Sequence, residues 1–323
     1  MKNNNAQINK EPKTSSRSLA LTALEDFNGF AIYHSGRFVL FAVSFNTVLI
    51  VLLIFYFVIQ QGLPFFKNFD TIEFFTSKQW YPEADNPKFG ALSIIFGSLY
   101  VTISALLLAV PAAILAAVFL SEIVSHKIRN YVKPVIELLA AIPSVAYGFF
   151  AVLVLAPFLQ THFGLSTGTN ALNASLILSI MALPTIISVA EDSITAIGRD
   201  LREASYGLGA TRFETIFKVV IPAAHSGIIA AIVLGMMRAI GETMVVWMAS
   251  GNANQIPSPW WDLTQSVRTM TATIAGDMGE TSKGSPHYQS LFAIGIVLLA
   301  MTFLLNIISE YFLASAGKNS RKK

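Results

Sequence analysis

The 323-residue chain contains no cysteine, which excludes disulfides, thiolate metal ligands and cysteine nucleophiles. Charge is scarce as well. Only 13% of residues are Asp, Glu, Lys or Arg, about half the share of a soluble domain, while 54% are hydrophobic and the mean hydropathy is +0.58. The sequence has no G-x-x-x-x-G-K-[ST] stretch to cradle nucleotide phosphates, no zinc-ligand spacing and no G-x-S-x-G elbow. These absences point to a non-catalytic membrane protein without cofactor or metal. The net charge of +3 means little until it is distributed over the loops.

What the sequence does have is apolar length. Six stretches are long enough to cross a bilayer, at about residues 38–60, 91–121, 134–159, 171–197, 223–250 and 288–313. Residues 38–59 carry no charge, exceed the length of a signal-peptide core and are not followed by a small-residue cleavage site, so this first span is expected to be retained. Residues 91–120 are also uncharged and outrun a straight crossing, which requires tilt, a kink near Pro111 or extension beyond the hydrocarbon. The third stretch is interrupted by Pro143, Gly148 and Pro157, and the fourth by Pro184. Residues 1–37 read as a tail whose polar opening part is disordered, and residues 316–323 as a short basic tail.

Lysine and arginine orient these stretches, because cytoplasmic loops carry the excess. With both termini inside, sixteen of the 22 Lys and Arg residues fall on the inner side. Five (Lys67, Lys78, Lys88, Arg268 and Lys283) fall outside, and Arg238 lies within the fifth stretch. The expected protein is all-α and polytopic, with six transmembrane helices in the inner membrane and cytoplasmic N- and C-termini.

Residues 200–222, D-L-R-E-A-S-Y-G-L-G-A-T-R-F-E-T-I-F-K-V-V-I-P, form a polar interruption on the inner side. Asp200 with Glu203, and Thr211 with Glu214, have capping-box spacing, so each pair is expected to start a short helix. Gly207 and Gly209 lie between them, where a turn calls for positive φ. Leu201, Ala204, Ser205 and Leu208 share one helical face, and Phe213, Ile216, Phe217 and Val220 share another. The product is a compact knob with an apolar docking face and a charged face of Arg202, Arg212, Glu214 and Lys218. Pro222 suits the first turn of the next helix. If ATP energy is used, a chain without a nucleotide motif must receive it through a partner, and this knob is the available socket.

In R-A-I-G-E-T, Arg238 and Glu242 are spaced i, i+4, on one face of a continuous helix. Arg238 is expected roughly 24 Å beyond Pro222, at or somewhat past the bilayer centre, where a charge costs at least about 2.5 kcal/mol to insert and such residues face a bundle interior or a wet path. One reading is a buried ion pair that fixes helix packing. The other has Arg238 offering a fork of donors to a passing oxyanion while Glu242 holds the guanidinium in place. Glu137, Glu191 and Asp192 read as solvated or knob-contacting groups at span ends, and His126, His162 and His225 as interfacial side chains.

The pattern Glu203-Ala204-Ser205, Gly209, Val219, Ile221-Pro222 resembles the coupling-loop signature of binding-protein-dependent ABC import permeases, with Ser205 where alanine is usual. Residues 89–99, 136–148 and 235–252 are similar to the permease subunits of the phosphate-specific ABC importer, the C type more than the A type. The resemblance covers about residues 38–313 and implies the type I ABC importer permease fold. It assigns Glu203, Ala204, Ser205, Gly209 and Pro222 to ATPase coupling, and Arg238 and Glu242 to the substrate pathway. The implied partners are a sister permease in a heterodimer, ATPase subunits, an external phosphate-binding protein, inorganic phosphate and the lipid membrane, with no nucleic acid. Another oxyanion such as sulfate or molybdate, or an ion-coupled secondary transporter, is the alternative.

Overall fold

The computed structural model describes residues 23–320; the polar opening stretch expected to be disordered and the last three basic residues lie outside them. The chain divides into two compact units, residues 1–57 and 58–323. Helix α1 (Ala23–Asn68) belongs to both, so residues 23–37, expected as tail, are already helical. Among the described residues, five stretches are long and apolar enough to cross a membrane: Ser35–Asn68, Leu92–Ile123, Ser144–Phe163, Ala171–Thr195 and Pro286–Ile307. A sixth exists only in broken form, as Arg212–Ala223 and His225–Ile240 joined at a 69° bend.

Within the second unit, the core is a trio of helices that approach closely because small residues recur every fourth position. Helix α3 (Leu92–Val118), extended by a π-helical turn at Phe119–Ile123, buries Ala105, Ala109, Ala113 and Ala117 in one line. Helix α7 (Ala171–Thr195) answers with Ala174, Ala182 and Ala190 between Leu178, Ile186 and Ile194. Helix α11 (His225–Ile240) presents Gly227, Ala231, Gly235 and Ala239. Lipid gives helices little hydrophobic reason to associate, so tight van der Waals contact between small residues has to supply it. A Cβ on Gly235 would sit 2.4 Å from Ile186 Cγ1, and one on Gly227 2.2 Å from Ser193 Oγ.

One end of this core is closed by an aromatic cluster. Phe65 contacts Phe69, Phe74 and Phe89, and Trp80 contacts Phe89. The short helix α2 (Thr71–Thr76), capped by Asp70, and a two-residue antiparallel pair, β1 (Trp80–Tyr81) with β2 (Lys88–Phe89), hold these rings in place. They pack on Ile94 of α3, Met270 of α13 (Met270–Asp277), and Leu291 and Ile294 of α14 (Pro286–Ser320).

Two expected spans are subdivided. Residues 134–140 belong to a separate helix, α4 (His126–Ala140), which stops before Pro143; the crossing helix then begins as α5 (Ser144–Phe150) and passes through a π-turn into α6 (Ala156–Phe163). Its polar residues Arg129, Lys133 and Glu137, spaced by four, line one side, while Ile128, Tyr131, Val135 and Leu138 are exposed. The fifth span ends its main helix at Gly241 and resumes as α12 (Met244–Ala249). Overpacking a close contact typically costs about 1–3 kcal/mol, so Gly235→Val is expected to lower the unfolding midpoint in detergent, and Ile186→Ala in the same chain to recover part of the loss.

Candidate functional site

The knob is built as two helices and a turn, with one start shifted. Helix α8 (Arg199–Gly207) begins after Gly198 with no side-chain cap, so Asp200 lies inside its first turn, not at the cap. A carboxylate is favourable there against the exposed N–H groups of the helix end, whichever residue caps it. The second start is as expected: at α9 (Arg212–Thr215) the Thr211 side chain accepts from Glu214 N–H and Glu214 accepts from Thr211 N–H, a complete capping box. Thr211 and Lys218 hold the exposed Glu214 carboxyl well below its usual range, at about 2. Between the helices, Gly209 has φ +83°, its N–H donates to Tyr206 O, and Ala210 N–H donates to Ser205 O. This is the Schellman closure, which needs a left-handed residue at the Gly209 position. Gly207 is helical and needs no such freedom.

Ser205, the departure from the usual alanine, is buried and shares a 2.9 Å hydroxyl hydrogen bond with Thr215, pinning the two helices together. Glu203 and Ala204 face out. So do Leu208 at 90% and Phe213 at 69% exposure, with Leu201, Tyr206 and Phe217 around them. These outward apolar residues are left uncovered among the described residues, whereas Ile216 and Val220, expected to share a face with Phe213 and Phe217, are buried in the core. Pro222 lies in the last turn of the knob's second helix, which runs through a π-turn (Ile216–Val220) to α10 (Ile221–Ala223). The helix that carries Arg238 starts afresh at His225, beyond the 69° bend. The expectation that Pro222 opens that helix is corrected: an apolar run reports length, not direction.

Arg202 is not part of an exposed charged face. Its guanidinium donates to Glu122 (Nη2 to Oε1, 2.6 Å), Ile194 O (3.0 Å), Gly198 O (3.1 Å) and Ile197 O. Glu191 is likewise not solvated. It is 1% exposed, pairs with Arg129 and with Lys133 (2.8 Å), and accepts from Thr195. Lys133 also pairs with Asp192. Burial would lower the Lys133 pKa, but hydrogen bonds to Asp192 and Glu191 outweigh it and raise it. Glu137 accepts from Ser188 at 3.5 Å. The sequence signal for these pairs was the four-residue spacing of Arg129, Lys133 and Glu137.

Arg238 lies thirteen residues into α11, about 20 Å along it. Its Nη1 donates to Thr185 Oγ1 and its Nη2 to Ala140 O, both at 3.4 Å. Thr185 stands beside Pro184 in α7, and Ala140 ends α4, where carbonyls have no helical partner. Tyr147 Oη donates to the neighbouring carbonyl of Leu139 at 2.9 Å. Among the described residues no carboxylate pairs with Arg238. Glu242 lies beyond the helix end, so the i, i+4 geometry is lost. Its carboxylate accepts from Thr243 N–H at 3.2 Å, and its carbonyl accepts from Thr271 Oγ1 at 2.8 Å. Glu242, Ser98, Thr102, Thr269 and Thr271 surround a cavity of about 10 Å³, room for roughly one water. Thr185 and this hydroxyl ring carried no sequence signal, because isolated Ser and Thr are common in apolar helices.

Comparison with known proteins places the chain. Residues 109–316 match the family described as "Binding-protein-dependent transport system inner membrane component". The chain is 42% identical over 253 residues to the "Probable ABC transporter permease protein YqgH" of Bacillus subtilis, covering 78% of this chain and 81% of that one. It is 37% identical over 259 residues to the "Phosphate transport system permease protein PstC" of Mesorhizobium japonicum, covering 74% and 77%. Among solved structures, a bacterial alginate ABC transporter in complex with an alginate pentasaccharide-bound periplasmic protein shares the fold, with TM-score 0.56, 20% identity and coverage of 90% of this chain and 96% of that one.

Because the folded pKa of Glu214 lies below its ordinary value of 4.5, its contribution to knob stability is present above that value and is lost as pH falls through about 2. Thr211→Ala should return this pKa toward the ordinary range and speed amide exchange at Glu214. Titration by NMR and hydrogen exchange would check both.

Proposed function

Because the chain belongs to the family of binding-protein-dependent transport system inner membrane components, we propose that it is a permease subunit of an ATP-driven importer for inorganic phosphate. It forms half of a translocation pathway, a sister permease supplies the other half, and separate subunits hydrolyse the ATP. The distribution of lysine and arginine supports cytoplasmic termini and a cytoplasmic knob. The exposed face around Leu208 and Phe213, beside Glu203 and Ala204, is where an ATPase subunit docks. A phosphate-binding protein meets the opposite end, near the aromatic cluster.

The observation that carries the reading is the state of Arg238. A guanidinium inside a membrane helix, held among the described residues by two long hydrogen bonds to neutral oxygens, keeps donors in reserve for a tetrahedral oxyanion. Thr185 adds a hydroxyl on the same side. The residue sits where α4 and α7 meet α11, so rearrangement of those helices changes its surroundings. Glu242, past the helix break, keeps a negative charge near the path and prevents the arginine from becoming a permanent anion trap. Phosphate is thereby bound weakly enough to leave.

Radiolabelled phosphate uptake by the reconstituted complex tests this. Arg238→Ala is expected to abolish uptake with the complex still assembled, and normal uptake by a well-expressed variant would overturn the pathway role. Excess sulfate or molybdate is expected to leave uptake unchanged; competition by either would reassign the substrate. Gly209→Val, which forces a β-branched side chain to φ +83°, is expected to leave ATP hydrolysis running without transport.

A further inference from the structure

The bend at Ala224 raises a mechanical difficulty. Were the knob continuous with the helix bearing Arg238, a push on one would pass straight along the backbone to the other. The 69° change of direction between Ala223 and His225 interrupts that line. The structure offers another connection, through helix α3.

Both helices of the knob grip one residue of that rod. From α8, Arg202 makes a forked contact with the Glu122 carboxylate, Nη2 at 2.6 Å and Nε at 3.2 Å, while its other donors hold the carbonyls that end α7. From α9, Arg212 donates to the backbone carbonyl of Glu122. Glu122 is 7% exposed and Arg202 17%, so the pair is mostly out of water and poorly screened. A planar guanidinium on a carboxylate resists rotation in a way that a lysine contact does not.

Glu122 sits in the π-turn that ends Leu92–Ile123, a single 32-residue helical rod. Twenty residues back along it, about 30 Å away, Thr102 and Ser98 line the small cavity shared with Glu242 and Thr271. Between these ends the alanine line of α3 packs against α7 in one continuous buried seam with Ala182 and Ala190. One rod therefore joins the knob to the Glu242 end of the pathway.

We propose that the Arg202–Glu122 pair makes α3 the element that carries knob displacement to the Glu242 cluster, so that both residues are coupling residues although neither lies on the docking face or the pathway. The proposal rests on the importer reading above. It makes the knob and the inner end of α3 one moving body.

The test uses the full complex with its ATPase subunits and binding protein in proteoliposomes, reading phosphate moved per ATP hydrolysed. Glu122→Gln keeps the shape and an acceptor while removing the charge. It is expected to assemble and hydrolyse ATP at its ordinary basal rate, with the transport ratio lowered at least about ten-fold. The second variant is Glu122→Cys with Arg202→Cys, in a chain otherwise free of cysteine. Unbridged, it should be equally uncoupled; bridged by a short bifunctional methanethiosulfonate reagent, it should recover the ratio, and reductant should remove the recovery. A purely structural pair would lower hydrolysis, transport and complex yield together and leave the ratio unchanged, which overturns the proposal. So does a bridge that blocks transport, because the knob would then have to slide against α3. If the unmodified complex moves sulfate or molybdate instead of phosphate, the substrate reading fails while the same ratio, measured with that anion, still tests the rod. If it moves no anion with ATP, both fall.

Discussion

Helices that face lipid on one side and each other on the other can gain little from burying apolar surface alone. What holds α3, α7 and α11 together is how closely their backbones approach, and that is set by alanine and glycine at every fourth position. Ala105, Ala109, Ala113 and Ala117 do this for α3, and Gly227, Ala231 and Gly235 for α11. Every other feature is hung on that trio. Arg238 projects from α11, Thr185 from α7, and Ser98 and Thr102 from α3, so the spacing of three helix axes fixes the distances at the candidate pathway.

The polar ends of the trio are ordered by a different interaction, the need to neutralise carboxylates that have left water. Glu191 is buried at the end of α7, and the Glu122 side chain is largely covered at the end of α3. Truncating one partner of such a pair, with no acceptor left in its place, strands a charge, at a cost of about 3–5 kcal/mol for a fully buried pair. Helix α4 and the knob are attached through these pairs together with Val132 and Ile136 on α4 and Ile216 and Val220 on the knob, which pack into the core. This leaves their apolar surfaces, around Tyr131 and Leu138 on α4 and Leu208 and Phe213 on the knob, available to other subunits or to lipid.

Much of this was legible in the sequence. Uncharged length located the crossing helices, Thr211 with Glu214 marked a real capping box, and Gly209 marked the turn that needs positive φ. Direction was not legible. The bend at Ala224, the break at Gly241 and the separation of α4 from α5 before Pro143 all fall within stretches whose average hydropathy fits a single crossing, and hydropathy is blind to a change of axis. The Arg238–Glu242 spacing suggested an ion pair because a single unbroken helix was assumed. Arg202 falls on the charged face of the knob in the sequence because its partner lies 80 residues away, beyond the reach of any local pattern. The hydroxyls at Thr185 and Thr271 were hidden for the opposite reason: they are ordinary residues made significant by what folds beside them.

The two buried carboxylates differ in one respect that matters as the chain is made. Arg129 and Lys133 precede Glu191, so that by the time α7 emerges its counter-charges already exist and the carboxylate need never wait unpaired. Glu122 precedes Arg202 by 80 residues, and until Arg202 and Arg212 are synthesised its carboxylate has to stay in water. The knob end of α3 therefore settles only after the knob exists. During biogenesis, completion of the knob and closure of the bundle beside it become a single late event, so a chain truncated before the knob would be left with that end of the bundle open for quality control to recognise.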